Sequence, residues 1–234
     1  MEYAKENTED GWVIQSVRRD KEEKRRYLIF TEAEEPVLSV HEDIMVRFRL
    51  MKGQLITKSL IEEIRFEDGR YRAYAMAIFY LGTKPRTRKQ IGDYLHRKEL
   101  DEQSIEYALD RLESEHLVDD EQYARQFATS RVRSGMKGRL LIKQELQQRG
   151  VPKEAAADAV SELDRESELA AAIALAAKKS RSLKGETVKR RQKLTGFLLR
   201  RGFPSDIVRE AIKSVEWDTS EDDNEEDDCV LLDN

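Results

Sequence analysis

Between residues 71 and 215 apolar side chains recur at helical spacing, in runs that break and restart with one repeated phrase. A helical run ends in Leu and a basic turn. An apolar residue and a Pro or Asp follow, and then a second helical run with a small residue near its middle. The copies read Ile91, Leu95, Leu100, Asp101, Ala108, Leu109; Ile142, Leu146, Val151, Pro152, Ala159, Val160; and Leu194, Leu198, Phe203, Pro204, Ala211, Ile212. Their leucines lie 51 and 52 positions apart. A period of this size marks stacked helical units, each too small to bury its apolar face alone.

Each unit reads as a three-helix bundle. In repeat one, Ala75, Ile78, Phe79 and Gly82 line a first helix that Pro85 stops. Thr87-Arg88-Lys89-Gln90 has capping-box spacing and opens the helix of Ile91 and Leu95. A third helix holds Ile105, Ala108, Leu109 and Leu112 and closes at His116-Leu117. Repeat two opens with Asp119 or Asp120 as cap, carries Tyr123, Ala124, Phe127 and Ala128, and continues in helices over roughly 139–149 and 153–164. Repeat three starts near Ser167 with an Ala-rich helix, has a longer connection around 180–185, and ends at Val215.

The first 70 residues follow a different pattern. Residues 12–17, 26–30 and 36–40 have strand character and predict an antiparallel meander. Ser39-Val40-His41-Glu42 has capping-box spacing, with Ile44, Phe48 and Met51 at helical intervals before Gly53; Thr57 caps a second helix that ends at Asp68-Gly69. The expected fold is mainly α: three tandem three-helix repeats in a curved, elongated stack, preceded by a small β-meander and a two-helix extension. The expected domains are 1–70, 71–120, 121–166 and 167–215, with 216–234 a disordered acidic tail and 1–10 disordered.

Composition fits an elongated array better than a sphere. Charged residues make up 38% and mean hydropathy is −0.74, so the core is thin for the length. No apolar run approaches the roughly 20 residues that span a bilayer, the first residues lack the apolar stretch of a secretory signal, and Cys229 is the sole cysteine. These features point to a reducing, cytoplasmic setting with no membrane partner, and to a monomer. The net charge of −5 hides a segregation of sign. Residues 1–70 carry −3 and residues 71–166 balance, whereas residues 167–215 hold twelve basic residues against four acidic ones. Ten acids and no Lys or Arg follow from Glu216. Such asymmetry points to a polyanion or an acidic partner.

Catalytic chemistry finds no set of residues to rest on. His41, His96 and His116 are far apart and none has a metal-spaced companion. Gly135-Met136-Lys137-Gly138 lacks the preceding strand and spacing of a phosphate loop. Asp119, Asp120 and Glu121 read as helix-cap and macrodipole partners. No catalytic residue, metal or cofactor is assigned. The basic residues are more informative. Arg86, Arg88 and Lys89 surround the start of the second helix in repeat one, joined by Lys84. Arg131, Arg133, Lys137, Arg139 and Lys143 take that place in repeat two, and Lys184, Lys189, Arg190, Arg191 and Lys193 in repeat three, where Arg200 and Arg201 supply the basic turn. One charge run is ordinarily a solvated face. Recurrence at an equivalent site of stacked units would align the clusters into a stripe suited to phosphates or acidic side chains. Glycines beside two clusters would let a partner approach the backbone.

The stretch Leu117-Val118-Asp119-Asp120-Glu121-Gln122-Tyr123-Ala124-Arg125-Gln126-Phe127, followed by Ser130-Arg131, Gly138, Ile142, Gln144-Glu145-Leu146 and Gly150-Val151, resembles the signature of the RecX family, bacterial regulators of the RecA recombinase. The resemblance runs over about residues 71–215, and 39–43 with Lys52-Gly53 resemble the N-terminal extension of some members. It implies three three-helix repeats and binding along the groove of a RecA filament on single- or double-stranded DNA. It further implies suppression of ATP hydrolysis, strand exchange and coprotease activity, and so a place in homologous recombination, DNA repair and the SOS response. The chain departs at Glu99, where the other repeats have Gly150 and Gly202, and in its acidic tail. Two rival readings stand beside this one: an autonomous DNA-binding protein using the basic repeat face, and an enzyme, for which no constellation exists.

Overall fold

A computed structural model describes residues 11–217, so the segments expected to be disordered, 1–10 and most of 216–234, lie outside the described residues. The chain divides into two compact units between Val118 and Asp119. Among the described residues no helix is long and apolar enough to cross a membrane.

The first unit opens with β1 (Gly11–Val13), β2 (Ser16–Arg19), β3 (Arg26–Phe30) and β4 (Leu38–His41). Strands β2, β3 and β4 form the expected antiparallel meander, with Val17 opposite Ile29 and Tyr27 opposite Val40. Leu38 and Val40 are buried while Ser39 between them is exposed, so one face supplies core and the other meets solvent. The expected first strand is in fact broken at Ile14-Gln15. Ile14 N–H donates to Gln54 O (2.9 Å) and Gln15 N–H to Phe30 O (2.8 Å), so the chain changes partners there. Its first half pairs with β5 (Leu55–Thr57), a strand the apolar pattern does not separate from the following helix. Helix α1 (Glu42–Arg47) is shorter than expected, and its N-cap is His41, whose ring Nδ1 accepts from Asp43 N–H.

Thr57 caps α2 (Lys58–Leu81) as anticipated, accepting from Leu60 N–H at 3.2 Å, but the helix does not stop at Asp68-Gly69. It runs through both and becomes the first helix of repeat one. Asp68, rather than turning the chain, accepts from Arg26 Nη2 and His41 N–H (both 2.8 Å) and fastens the sheet to the helix. Gly69 stays helical because α2 passes α4 (Glu102–Ser114) there; a Cβ would stand 2.8 Å from Ser104 Oγ. The buried face of α2 in this repeat is Ala73 and Ala77, not the expected Ala75, Ile78 and Phe79; Phe79 is 77% exposed. Helix α3 (Arg88–His96) carries the full capping box of Thr87 and Gln90, and α4 buries Ile105, Ala108, Leu109 and Leu112 as read from the sequence.

The second unit contains repeats two and three. Helices α5 (Asp120–Arg133), α6 (Arg139–Gln148) and α7 (Lys153–Ser161) enclose Ala124, Ala128, Ile142 and Leu146. Helices α8 (Arg165–Ser180), α9 (Thr187–Arg200) and α10 (Ser205–Lys213) enclose Leu175, Leu194, Leu198, Phe203 and Ala211. Asp119 is the cap of α5, accepting from Gln122 N–H at 2.8 Å.

The repeated phrase is a Schellman turn. Gly150 N–H bonds Gln147 O (3.0 Å) and Val151 N–H bonds Leu146 O (3.1 Å); Gly202 and Phe203 repeat this with Leu199 O (2.9 Å) and Leu198 O (3.3 Å). The turn residues have φ of +90° and +83°, and Glu99 holds the equivalent place at +58°. A side chain there is strained, which glycine relieves. Glu99→Gly is expected to stabilise the first unit by about 0.5–1 kcal/mol, the left-handed penalty less the entropy glycine adds to the unfolded chain. The result would be a higher urea midpoint, and an unchanged or lower midpoint would show that the turn stores no strain.

Candidate nucleic-acid interface

The recurring basic residues do not share one fate. In repeat one, Arg86 lies against Tyr80, its guanidinium carbon 4.1 Å from the ring centroid. Tyr80 stacks on Tyr94 (4.2 Å, interplanar angle 7°), and Lys98 Nζ stands 5.8 Å from the Tyr94 ring. Such a column fixes the α2–α3 connection through cation–π contacts of roughly 0.5–1 kcal/mol each. Arg88 reaches three carboxylates of α4: Glu106 (2.6 Å), Asp110 (2.8 Å) and Glu113 (2.6 Å). Burial works against its charge, yet the hydrogen bond to Asp110 and the Glu113 and Glu106 carboxylates hold its pKa above the ordinary guanidinium value. Arg88 therefore ties α3 to α4. Lys89 and Lys84 are exposed.

Repeat two is similarly internal. Arg131 and Arg149 each stand 4.7 Å from the Phe127 ring centroid. Lys137 Nζ donates to Glu145, and Arg131 Nε lies 3.4 Å from the other oxygen of that carboxylate, an ion pair rather than an aligned hydrogen bond. Arg139 turns to Glu168 at the start of α8, a fully buried carboxylate. Glu168 accepts from the Arg139 backbone N–H (2.8 Å) and from its Nε (2.7 Å), and Nη2 completes the ion pair at 2.7 Å. Arg133 stays exposed and Lys143 half-buried.

The glycines there also serve the chain itself. Gly138 N–H donates to Arg201 O (2.9 Å) and Leu140 N–H to Gly202 O (3.0 Å), so the start of α6 rests on the α9–α10 turn, backbone to backbone. A Cβ on Gly138 would lie 2.3 Å from Gly202 C and O. The close approach expected for an outside partner is made by repeat three.

Repeat three keeps its charge on the surface. Lys189, Arg191, Lys193 and Arg200 are exposed; Lys189 makes a solvent-facing pair with Glu186 (2.9 Å), which is worth little. Arg190 donates to Thr187 Oγ1 (3.0 Å), and Arg190 and Arg191 stand 5.7 and 5.6 Å from the Trp217 ring. Arg201 packs against Phe197 at 5.5 Å. Two further cations escape the sequence reading: Arg209 and Lys213, four residues apart on α10, whose spacing alone would have placed them on one face. The cause of the difference is composition. Arg88, Lys137 and Arg139 have carboxylates opposite them, whereas residues 167–215 hold only four acids. Of the three expected clusters, the third is the open one.

The three-helix repeats have counterparts among known proteins. Models of the first, second and third three-helix domains of RecX match residues 73–112, 119–160 and 166–212. The chain is 32% identical to Regulatory protein RecX of Oceanobacillus iheyensis over 91% of its own length and 79% of the relative's. It is 28% identical to the protein of the same name from Geobacillus thermodenitrificans over 94% and 78%. A crystal structure of regulatory protein RecX superposes with a TM-score of 0.69 at 30% identity, covering 86% of this chain and 98% of that one. RecX from Lactobacillus salivarius gives 0.58 at 26% identity, covering 63% and 96%.

Proposed function

The chain belongs to the RecX family, and on that premise we propose that it is a non-enzymatic inhibitor of the RecA recombinase. It binds along the RecA–DNA filament and suppresses ATP hydrolysis, strand exchange and coprotease activity. The observation that carries this reading is the open cationic surface of α9, where Lys189, Arg191, Lys193 and Arg200 face solvent in the segment of highest positive charge. Those side chains meet filament-bound DNA or an acidic recombinase surface. Each phosphate neutralised releases counterions and steepens the salt dependence of log K by about 0.9. The helical repeats then oppose the protomer motions that couple ATP turnover to strand exchange.

ATP hydrolysis by the cognate recombinase on single-stranded DNA, titrated with substoichiometric amounts of this protein, tests the proposal. The unaltered chain is expected to suppress hydrolysis. The triple variant Lys189→Glu/Arg191→Glu/Lys193→Glu, altered only at exposed positions, is expected to lose at least about tenfold in potency. Undiminished hydrolysis with the unaltered protein would reject the proposal. The same α9 surface also favours a second reading, a DNA-binding protein for which the recombinase is incidental. That reading fails if the triple variant loses binding to bare DNA yet still inhibits.

A further inference from the structure

Helices α9 and α10 enclose a groove of about 410 Å³ on the second unit. Leu199, Val208 and Ile212 form its apolar base, and Arg191, Arg209 and Lys213 stand around it. Leu199 is 44% exposed, so its side chain opens into the groove from beside the core. The groove's volume lies within the range of sites that take a small ligand or a few side chains. Its chemistry, apolar below and cationic at the edge, asks for an acidic segment ending in aliphatic residues.

This chain carries such a segment. Residues 218–234 contain nine acids and no Lys or Arg, and the run Glu225-Glu226-Asp227-Asp228 leads directly into Cys229-Val230-Leu231-Leu232. The described chain stops at Trp217, whose ring stands 5.6 Å from the guanidinium of Arg191 at the groove's edge. Val230 lies thirteen positions beyond Trp217, a reach of up to about 45 Å, so length does not restrict the contact. Tethering raises the local concentration to about millimolar, enough for a weak site to fill.

We propose that this groove is the docking site of the chain's own segment 225–232, with Val230, Leu231 and Leu232 on the apolar base and the carboxylates before them facing Arg191, Arg209 and Lys213. Docking stands by itself. Its consequence, that the segment covers part of the α9 surface offered to DNA and is displaced by a stronger polyanion, rests on the function proposed above.

Cys229 is the sole cysteine and gives a specific place for a nitroxide on the full-length protein. Amide resonances of α9 and α10 around Leu199, Val208 and Ile212 are expected to broaden. The broadening should vanish in Leu231→Asp/Leu232→Asp and in Leu199→Asp. Broadening that is absent, lies elsewhere, or arises only between molecules in a mixture of spin-labelled and isotope-labelled chains overturns the proposal. Affinity for a bare oligonucleotide separates docking from simple charge competition. Leu231→Asp/Leu232→Asp makes the segment more acidic, yet release of the groove is expected to tighten DNA binding by about threefold to tenfold. Unchanged or weaker binding, with the broadening pattern intact in the parent protein, leaves docking in place and rejects only the masking of α9.

Discussion

Gly202→Ala is expected to remove about 2–5 kcal/mol from the stability of the second unit. Two effects add. The residue sits at φ +83°, where a side chain costs about 1–2 kcal/mol. A Cβ would also stand 2.3 Å from Leu141 N and 2.4 Å from Leu141 Cβ, and backbone atoms cannot retreat as a flexible side chain would. Overpacking of this kind costs typically 1–3 kcal/mol, and here it would further part the Gly138–Arg201 and Leu140–Gly202 hydrogen bonds. Domains are stable by only about 5–15 kcal/mol, so a shift of the urea midpoint by roughly 2 M should be plain. Gly185 supplies the control. It has φ +100° and open space, with nothing within 4 Å of the place a Cβ would take, so Gly185→Ala should show the conformational penalty alone. Equal losses for the two variants would mean that repeats two and three are not held by close backbone contact.

Arg139→Ala is the second large effect, expected at about 3–5 kcal/mol, because it strands the fully buried Glu168 carboxylate without its charge partner. Arg139→Lys should recover only part of the loss. The guanidinium presents Nε and Nη2 together to one oxygen, and an ammonium cannot reproduce that fork. Denaturation of the variants distinguishes this residue from the exposed cations of α9. Loss of function on altering Arg139 is expected to track the loss of stability, whereas altering Lys193 should weaken recombinase inhibition with the urea midpoint unmoved. If Arg139→Ala kept the parent midpoint, the Glu168 pair would be a surface contact and Arg139 would return to the candidate interface.

Local chemistry is legible in the residues and distant chemistry is not. The caps at Thr57, Thr87 and Asp119 and the buried leucines 95, 146 and 198 follow from spacing within a few residues. The partner of Arg139 lies 29 residues away, and nothing in a cluster of basic residues announces a carboxylate arriving from the next repeat. Arg88 meets carboxylates of α4 in its own repeat, 18 to 25 residues on, and Lys137 meets Glu145 only eight residues on. Strand β5 is hidden because Leu55-Ile56-Thr57 also reads as the approach to a helix cap. Asp68-Gly69 looks like a stop because Gly commonly ends helices; its actual service, admitting Ser104 of α4, depends on a crossing that no local pattern contains. Gly138 is indeed a point of close approach, but the visitor is the chain itself.

The clasp between Gly138 and the Arg201–Gly202 turn is made of amides and carbonyls alone. Its geometry is indifferent to the identity of nearly every neighbouring side chain, provided two positions lack a Cβ. Mutational drift can therefore rewrite the charges of α9, raising, lowering or reversing them, while the paired repeats persist as one cooperatively melting body. Attachment is carried by the main chain and the Arg139–Glu168 pair, and partner choice is left to the decoration.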